Sequence, residues 1–334
     1  MVRFINALRP GAKNVASLLL LISAILQGHA EIAPSPLPLF VIGPPNRVTG
    51  KGVRDLFEQP DGWKATRVAT NVILCSDHIL SKYSDADLKK YFAQLQAWNI
   101  KLELEVGAVK EWGQTGEDTF RKQRPSWDRF QSLGGHIASL AMDEPLSCVR
   151  RHLKKPDEYA AQETAKFIGL VQQTYPGIKV IEIEPYPSIP VGDQKMWIDM
   201  LQKAVADQHL KPLDAYRLDV DWLNFSMRDK GSWLEVKQIE DDCHHANLPF
   251  SLIYWSAGYG YWERQQMADD STWYVGVMSQ GYAYASVGGR PDQYVIESWV
   301  GAPQEIVPET RDFTFARSCL DFYNRFIKPA APKP

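Results

Sequence analysis

Short apolar segments recur along the chain and alternate with longer segments of helical periodicity. Residues 100–106 (IKLELEV) alternate strictly between polar and apolar, which predicts a strand. Residues 88–95 place apolar side chains at i, i+3, i+4 and i+7, which predicts one buried stripe of a helix. The same criteria predict eight strands, at residues 39–42, 68–74, 100–106, 137–142, 178–186, 215–222, 249–255 and 293–299.

These strands alternate with helical segments at a spacing of roughly 30–45 residues, which favours a closed α/β barrel. The sequence therefore predicts a single (β/α)8 TIM barrel over residues 31–327. The alternative is an open doubly wound sheet, which usually carries a glycine-rich phosphate loop after its first strand. Residues 43–46 (GPPN) do not form such a loop.

The N-terminus has the three parts of a secretory signal peptide. Arg3, Arg9 and Lys13 are basic, residues 15–26 are apolar, and residues 28–30 (GHA) suit cleavage after small residues. The apolar part is short for a bilayer span, so an uncleaved anchor is the less favoured alternative. We therefore expect residues 1–30 to be removed and the protein to be secreted or periplasmic.

The remaining chain is mildly acidic. The formal net charge of the whole sequence is −3, and the predicted signal peptide carries basic residues but no acidic ones. An acidic exported protein is a poor nucleic-acid binder. We expect no nucleic-acid partner and no stable membrane association after cleavage. The proline-containing residues 328–334 are expected to form a disordered tail.

The chain contains four cysteines, at positions 75, 148, 243 and 319. An exported protein can form disulfides, and Cys75 and Cys148 both follow predicted strands, so they could form a bridge near the strand ends. The sequence contains no C-x-x-C or His/Cys group with metal-ligand spacing. We expect neither a structural zinc site nor a cofactor.

Acidic residues recur inside the predicted strands. In the strand at 178–186, Ile181 and Ile183 share one face and Glu182 and Glu184 the other. Because the helix layer needs an apolar face, we expect the two glutamates to point into the barrel. The same argument places further charged side chains inside: Glu103, Glu105, Asp143, Arg217, Asp219, Asp221 and Glu297.

Inward acids outnumber inward bases in this set. An inward carboxyl group without a basic partner has a raised pKa or binds a cation. A raised pKa suits a general acid. The structural alternative is a network in which Arg217 and Lys101 pair with the deeper acids Glu103, Glu182 and Asp219. The acids expected nearest the C-terminal ends of the strands, where TIM-barrel active sites lie, are Glu105, Asp143, Glu144, Glu184, Asp221 and Glu297.

The segment Asp143-Glu144-Pro145 ends the fourth strand, because proline offers no N–H for strand pairing. Alternation points Asp143 inward and Glu144 outward, but a kink before Pro145 could turn Glu144 over the barrel opening. The sequence leaves both orientations of Glu144 open.

This segment resembles the strand-four Asn-Glu-Pro motif of the retaining TIM-barrel glycoside hydrolases of clan A, with Asp in place of Asn. Trp299, at the end of strand eight, is similar to the tryptophan that forms the floor under the reacting sugar in that clan. The resemblance implies that Glu144 is the acid/base residue and that Asp143 contacts the sugar. The clan's nucleophile ends strand seven, where residues 251–255 (SLIYW) contain no acid.

Hydrolysis of a glycosidic bond needs a proton donor and a second carboxylate. We assign Glu144 as the donor and Glu297 as the first choice for the second role, with Glu184 and Asp221 as alternatives. Four aromatic residues at strand ends are candidates for sugar stacking, with core packing as the alternative for each: Tyr186, Tyr254, Trp255 and Trp299. Trp222 is the weakest further candidate, and residues 258–262 (GYGYW) suggest an aromatic loop over the site.

The sequence therefore predicts an exported glycoside hydrolase acting on a poly- or oligosaccharide. A non-catalytic carbohydrate-binding barrel is the main alternative, with the aromatic residues retained and the acids structural. A metal-dependent hydrolase is the third hypothesis, but the predicted strands contain no histidine.

Overall fold

A computed structural model of the protein describes residues 38–45, 52–221, 224–225, 230–256 and 269–328. Its strands form one closed parallel barrel in sequence order, which confirms the predicted (β/α)8 TIM barrel. The strands are β1 (Leu39–Gly43), β2 (Val72–Ser76), β3 (Lys101–Val106), β4 (Ile137–Asp143), β5 (Lys179–Tyr186), β6 (Ala215–Val220), β7 (Phe250–Tyr254) and β8 (Gln293–Glu297).

Helices surround the barrel. They are α1 (Val53–Glu58), α2 (Lys64–Ala69), α3 (Asp77–Leu80), α4 (Asp85–Trp98), α5 (Gly116–Ser132), α6 (Pro145–Cys148), α7 (Asp157–Thr174), α8 (Val191–Asp207), α9 (Trp233–His245), α10 (Asp270–Ser286) and α11 (Phe315–Phe322). In the described residues, no helix combines the length and apolar character needed to cross a bilayer. The predicted helical stripe at 88–95 lies on α4, where Ser84 accepts a hydrogen bond from the N–H of Asp87.

The predicted boundaries of β2 were wrong. Residues 68–69 end helix α2, and the Val68 side chain is exposed. The apolar run of β2 begins instead at Val72, which pairs with Val41 of β1. Val68 is apolar and lies four residues before Val72, so the hydrophobic pattern placed it in the strand although it belongs to helix α2.

Strand register shows which side chains enter the barrel. Paired residues of neighbouring parallel strands share a face, and Asp143 pairs with Ile183, which in turn pairs with Arg217. Glu182 instead pairs with Tyr216 and accepts a hydrogen bond from the indole N–H of Trp197 on helix α8. The prediction that Glu182 and Glu184 point into the barrel was therefore wrong.

Hydrogen-bond donors in the helix layer explain this reversal. Ile181 and Ile183 face the barrel interior, whereas the two glutamates accept hydrogen bonds from groups on the helix side. Large aromatic side chains pack in that outer layer and are fully buried: Trp63, Trp127, Trp197 and Trp273. Trp197 donates its indole N–H to Glu182, and Trp63 donates its indole N–H to the carbonyl of Leu56, so these buried polar groups are satisfied.

The four cysteines are buried free thiols. The expected bridge between Cys75 and Cys148 is therefore absent, and burial raises the pKa of the Cys75 thiol to about 12. Several other predictions lie outside the described residues: the signal peptide at 1–30, the tail beyond residue 328, Trp222 and the aromatic loop at 258–262.

Candidate active site

A buried ion pair crosses the middle of the barrel. Arg217 of β6 lies 2.5 Å from a carboxylate oxygen of Glu103 on β3, and both side chains are almost fully buried. Ser139 donates a hydrogen bond to the second oxygen of Glu103, and Arg217 also donates to Ser251. The expectation that Arg217 pairs with Glu103 in a structural network is confirmed. This layer closes the barrel below the C-terminal ends of the strands.

We call the open end above this layer the mouth. Its described polar and aromatic side chains come from the C-terminal ends of β3, β4, β6, β7 and β8 and from the segment after β3. They are Glu105, Lys110, Asp143, Glu144, Asp219, Trp255, Glu297 and Trp299.

Glu144 sits in a sharp turn between β4 and α6. Its backbone has φ 44° and ψ 54°, a left-handed conformation that is strained for a residue with a β-carbon. The N–H of Glu144 donates to the carbonyl of Ile183, and Ser147 donates to the carboxyl group at 3.0 Å. Of the two orientations left open by the sequence, the structure has the kinked one.

The environment of Glu144 favours its protonated form. Burial raises the pKa of its carboxyl group, and the negative charge of Asp143 raises that pKa further, whereas Lys110 opposes the shift. The Arg151 guanidinium lies 3.7 Å away at the exposed edge. A half-buried carboxyl group with a raised pKa at a strand end is suited to proton donation.

Asp143 points into the mouth and pairs with Lys110. The ammonium nitrogen lies 2.5 Å from Oδ2 of Asp143, and the aspartate side chain remains 40% exposed. Burial lowers the pKa of Lys110, but the charge of Asp143, the hydrogen bond to it and the charge of Glu144 together raise that pKa above its ordinary value. Asp143 is thus an accessible carboxylate held in place by a cation.

Asp219 faces the mouth from β6, two strands from Asp143. The indole N–H of Trp255 is shared between two acceptors, Oδ1 of Asp219 at 2.9 Å and the carbonyl oxygen of Val220 at 2.7 Å. Burial raises the pKa of Asp219 well above its ordinary value, and the charge of Glu144 is the next contribution. The Trp255 hydrogen bond acts in the opposite direction.

Two tryptophans line the β7–β8 side of the mouth. The rings of Trp255 and Trp299 lie 4.4 Å apart between centroids at an angle of 43°. Trp255 is buried, whereas Trp299 is 39% exposed. Trp299 thus offers an accessible apolar ring of the kind that stacks on sugars.

Glu105 and Glu297 form a pair of carboxyl groups between β3 and β8. Burial and the charge of Asp143 raise the pKa of Glu105 to about 8, and a hydrogen bond with Glu297 opposes that rise. Burial and the charge of Glu105 raise the pKa of Glu297 well above its ordinary range. Gly43 permits this arrangement, because a β-carbon there would lie 2.9 Å from Cγ of Glu297.

Three predicted site residues lie behind the sheet instead of in the mouth. Glu184 accepts backbone hydrogen bonds from Leu146 and Ser147 on the helix side. Tyr186 contacts Glu235 of α9, and Tyr254 packs on Phe322 of α11 with 4.7 Å between ring centroids. Both tyrosines are 1% exposed, so the expectation that they stack on sugars was wrong.

Asp221 follows β6 and is half-buried. Its two carboxylate oxygens accept hydrogen bonds from the backbone and the side chain of Asn224. It closes a turn in this way, and its catalytic role stays a prediction.

The sequence reasoning gave no site role to Lys110 and assigned Asp219 to the structural network. Lys110 follows β3 by four residues in a segment without periodicity, and only the folded chain brings it to Asp143. For Asp219 a signal existed, because it stands one residue before the end of β6. The exact end of that strand was predicted two residues too late, which placed Asp219 too deep.

No family model matches this chain, and no curated protein matches it. Solved TIM-barrel structures resemble it at low identity. A thermostable mutant of the xylanase Xyn10A from Cellvibrio japonicus is 10% identical, with a TM-score of 0.53 over 79% of this chain and 87% of that chain.

Two other structures are of differently named proteins. A D-psicose 3-epimerase is 10% identical, with a TM-score of 0.43 over 78% of this chain and 84% of that chain. The copper homeostasis protein CutC from Streptococcus agalactiae is 12% identical, with a TM-score of 0.46 over 79% of this chain and 100% of that chain. Similarity at this level establishes the barrel fold and no activity.

Proposed function

We propose that the protein is an exported glycoside hydrolase that cleaves O-glycosidic bonds of a poly- or oligosaccharide at the mouth of the barrel. The observation that carries this proposal is that two carboxyl groups face the mouth, Glu144 from the turn after β4 and Asp219 from β6. The pKa of each is raised, and the charge of Glu144 contributes to the rise at Asp219. An ionised carboxyl group opposes ionisation of its neighbour, so one group can hold a proton while the other is ionised.

We assign proton donation to Glu144. Its side chain is 22% exposed at the rim, where the oxygen of a leaving sugar can reach it. Ser147 and the strained turn hold its carboxyl group in place. This assignment agrees with the role that the Asp-Glu-Pro resemblance implies.

We assign the second carboxylate to Asp219 instead of Glu297. Burial raises the pKa of both carboxyl groups, but the indole N–H of Trp255 donates to Asp219 and opposes the rise there, because a hydrogen bond to the ionised form favours it. Glu297 lies beside a second carboxyl group, and its Oε2 accepts no hydrogen bond among the described residues. Whether Asp219 attacks the sugar directly or activates water depends on its separation from Glu144 in the complex.

Substrate binding is assigned to the remaining mouth residues. Asp143, fixed by Lys110, can accept hydrogen bonds from sugar hydroxyl groups. The exposed ring of Trp299 can stack on a sugar face. This chemistry needs no cofactor, because one carboxyl group donates the proton and a second, ionised one acts as the nucleophile or the base.

The test is release of reducing sugar by the chain from residue 31 onward, on a panel of bacterial and plant glycans. The proposal expects release from at least one glycan and its loss in Glu144→Gln. Binding of a glycan without any release, under every condition in which the protein is folded, would favour a carbohydrate-binding barrel instead. Loss of release in a chelator would favour metal-dependent hydrolysis.

A further inference from the structure

We propose that the sugar bound in the mouth carries a free amino group, and that Glu105 and Glu297 together receive its ammonium. This inference rests on the proposed function and specifies its substrate class as an amino sugar that is not N-acetylated. It gives a role to a pair of carboxyl groups that the hydrolytic mechanism does not use.

The first observation is that one oxygen of this pair has no partner. Glu297 is 2% exposed and faces the barrel interior, and its Oε2 makes no hydrogen bond among the described residues. Its backbone lies at the last position of β8, beside Gly43. A buried carboxyl oxygen without a donor is costly, and a ligand that donates a hydrogen bond removes that cost.

The second observation is that the nearby cations are already committed. Arg217 forms its ion pair with Glu103 and donates to Ser251 one layer below. Lys110 is paired with Asp143. Neither neutralises the Glu105–Glu297 pair, because the pKa of each carboxyl group stays raised despite the attraction of these cations.

The titratable groups around the pair come from four strands and from the segment after β3. Within the described residues, the titratable groups that act on it or lie beside it are Cys75 (β2), Glu103 (β3), Asp143 (β4), Arg217 and Asp219 (β6), and Lys110 after β3. Acidic groups exceed cations in this set, so the local field favours a cationic ligand over an anionic one.

The neighbouring strand ends carry small residues beside the pair. Gly43 of β1 pairs with Glu297, and Ser76 of β2 pairs with Glu105. A β-carbon at Gly43 would lie 2.9 Å from Cγ of Glu297, so glycine lets the Glu297 side chain lie against β1. Glu105 is partly exposed, so a ligand reaches the pair from the Glu105 side.

An ammonium fits this pair better than a metal ion does. Among the described residues, the one set of three candidate ligands with atoms within 4.8 Å of one another is Glu240, Asp241 and His244 on α9. The mouth carboxyl groups do not form such a set. Lys237 also pairs with Glu240 and Asp241, so the α9 group is already neutralised and is not proposed as a metal site.

Ammonium binding would change the protonation of the pair. A cation close to the two carboxyl groups favours their ionised forms, so a proton leaves the pair when the ammonium arrives. Binding near neutral pH should therefore release protons to the buffer, as binding of an uncharged sugar should not.

The experiment is calorimetric titration of the chain from residue 31 onward with glucosamine and galactosamine oligosaccharides, each beside its N-acetylated counterpart. Two buffers with different ionisation enthalpies report the protons released. We expect at least one free-amine oligosaccharide to bind 10-fold or more tightly than its N-acetylated form, with proton release. Glu297→Gln and Glu105→Gln should each remove most of this preference, and Glu158→Gln, on the outer surface of α7, should retain it.

Circular dichroism checks that both mouth variants remain folded, as expected for substitutions that mimic a protonated carboxyl group. Equal binding of the free and N-acetylated forms, or a preference that survives Glu297→Gln and Glu105→Gln, would overturn the inference. Hydrolysis of neutral or N-acetylated glycans alone would also overturn it while leaving the hydrolase proposal standing. Tight, proton-releasing binding of free amines without hydrolysis would support it and contradict the hydrolase proposal.

Discussion

Glu184 on β5 accepts a hydrogen bond from the backbone N–H of Leu146 at 2.5 Å, and its other oxygen accepts from the N–H of Ser147. These two N–H groups begin helix α6, directly after Glu144 and Pro145. A buried carboxyl group behind the sheet thereby fixes the turn that presents Glu144 to the mouth. Glu184 is therefore a positioning residue in this account, without contact to substrate.

Replacing Glu184 by Gln should affect both stability and turnover. The amide has one acceptor oxygen, so one backbone N–H loses its partner, at a cost of about 1–3 kcal/mol of unfolding free energy. A small shift of the turn would also misplace Glu144, and we expect kcat to fall more than KM rises. Chemical unfolding and steady-state kinetics measure these two effects.

Glu182→Gln is the matched control, because Glu182 lies on the same face of β5 and accepts a hydrogen bond from Trp197, with no hydrogen bond to the backbone of the turn among the described contacts. If Glu184→Gln lowered stability but left kcat equal to that of the control, its role would be structural only.

The buried pair of Arg217 and Glu103 should stabilise the barrel only as a pair. Arg217→Met leaves the carboxyl group of Glu103 buried without its cation, which we expect to cost about 3–5 kcal/mol of unfolding free energy. The double substitution Arg217→Met with Glu103→Gln should recover a large part of that loss. Denaturant unfolding of both variants tests this, and additive losses in the double variant would contradict the coupling.

Stability should fall as the pH rises above about 5. Burial raises the pKa of Glu105 and that of Glu182 to about 8 in the folded chain. Between their ordinary value and about 8, the folded state therefore binds more protons than the unfolded state, so the free energy of unfolding decreases with pH. Denaturant unfolding at pH 5.5 and 8.5 should show lower stability at the higher pH.

Glu182→Gln should flatten this pH dependence, because each carboxyl group contributes up to about 1.4 kcal/mol per pH unit in that window. Equal slopes in the variant and the parent would show that Glu182 ionises normally in the folded protein.

Trp255 should control the ionisation of Asp219. In Trp255→Phe the indole hydrogen bond is lost, so the pKa of Asp219 should rise further and the acidic limb of the kcat/KM profile should move to higher pH. Trp299→Phe is the control, since Trp299 contacts the Trp255 ring and has no hydrogen bond to Asp219 among the described contacts. Trp299→Phe should raise KM without moving the acidic limb of the kcat/KM profile. If the two variants had the same pH profile, the control of Asp219 by Trp255 would be contradicted.

The fold followed from the sequence because each strand–helix unit carries its own periodicity. The apolar stripe predicted at residues 88–95 lies on helix α4, where Leu88, Tyr91, Phe92 and Leu95 are buried. The strand faces were less predictable. In β5 both faces are buried, so alternation alone could not tell whether the isoleucines or the glutamates enter the barrel.

The hydrogen-bond partners of Glu182 and Glu184 set which way these side chains point, and the partners come from other parts of the chain. Glu182 finds Trp197, and Glu184 finds the N-terminus of α6, which turns both side chains toward the helices. The sequence pattern also failed to show contacts between strands at the mouth. Glu144 and Asp143 were recognised from one local motif, whereas Lys110 and Asp219 gained their roles only through contacts across strands.

The central claim, that Glu144 and Asp219 form the hydrolytic pair, is tested most directly by single-turnover cleavage with Glu144→Gln, Asp219→Asn and the surface control Glu158→Gln. The substrate is whichever glycan the parent protein cleaves, and each variant is present in excess over it, at a protein concentration that binds all of the substrate. We predict that both mouth variants still bind it but cleave it about 10²–10⁴-fold more slowly, while the control cleaves at the parental rate. Cleavage by Asp219→Asn at the parental rate, with Glu297→Gln inactive, would contradict the pair and return the second role to Glu297.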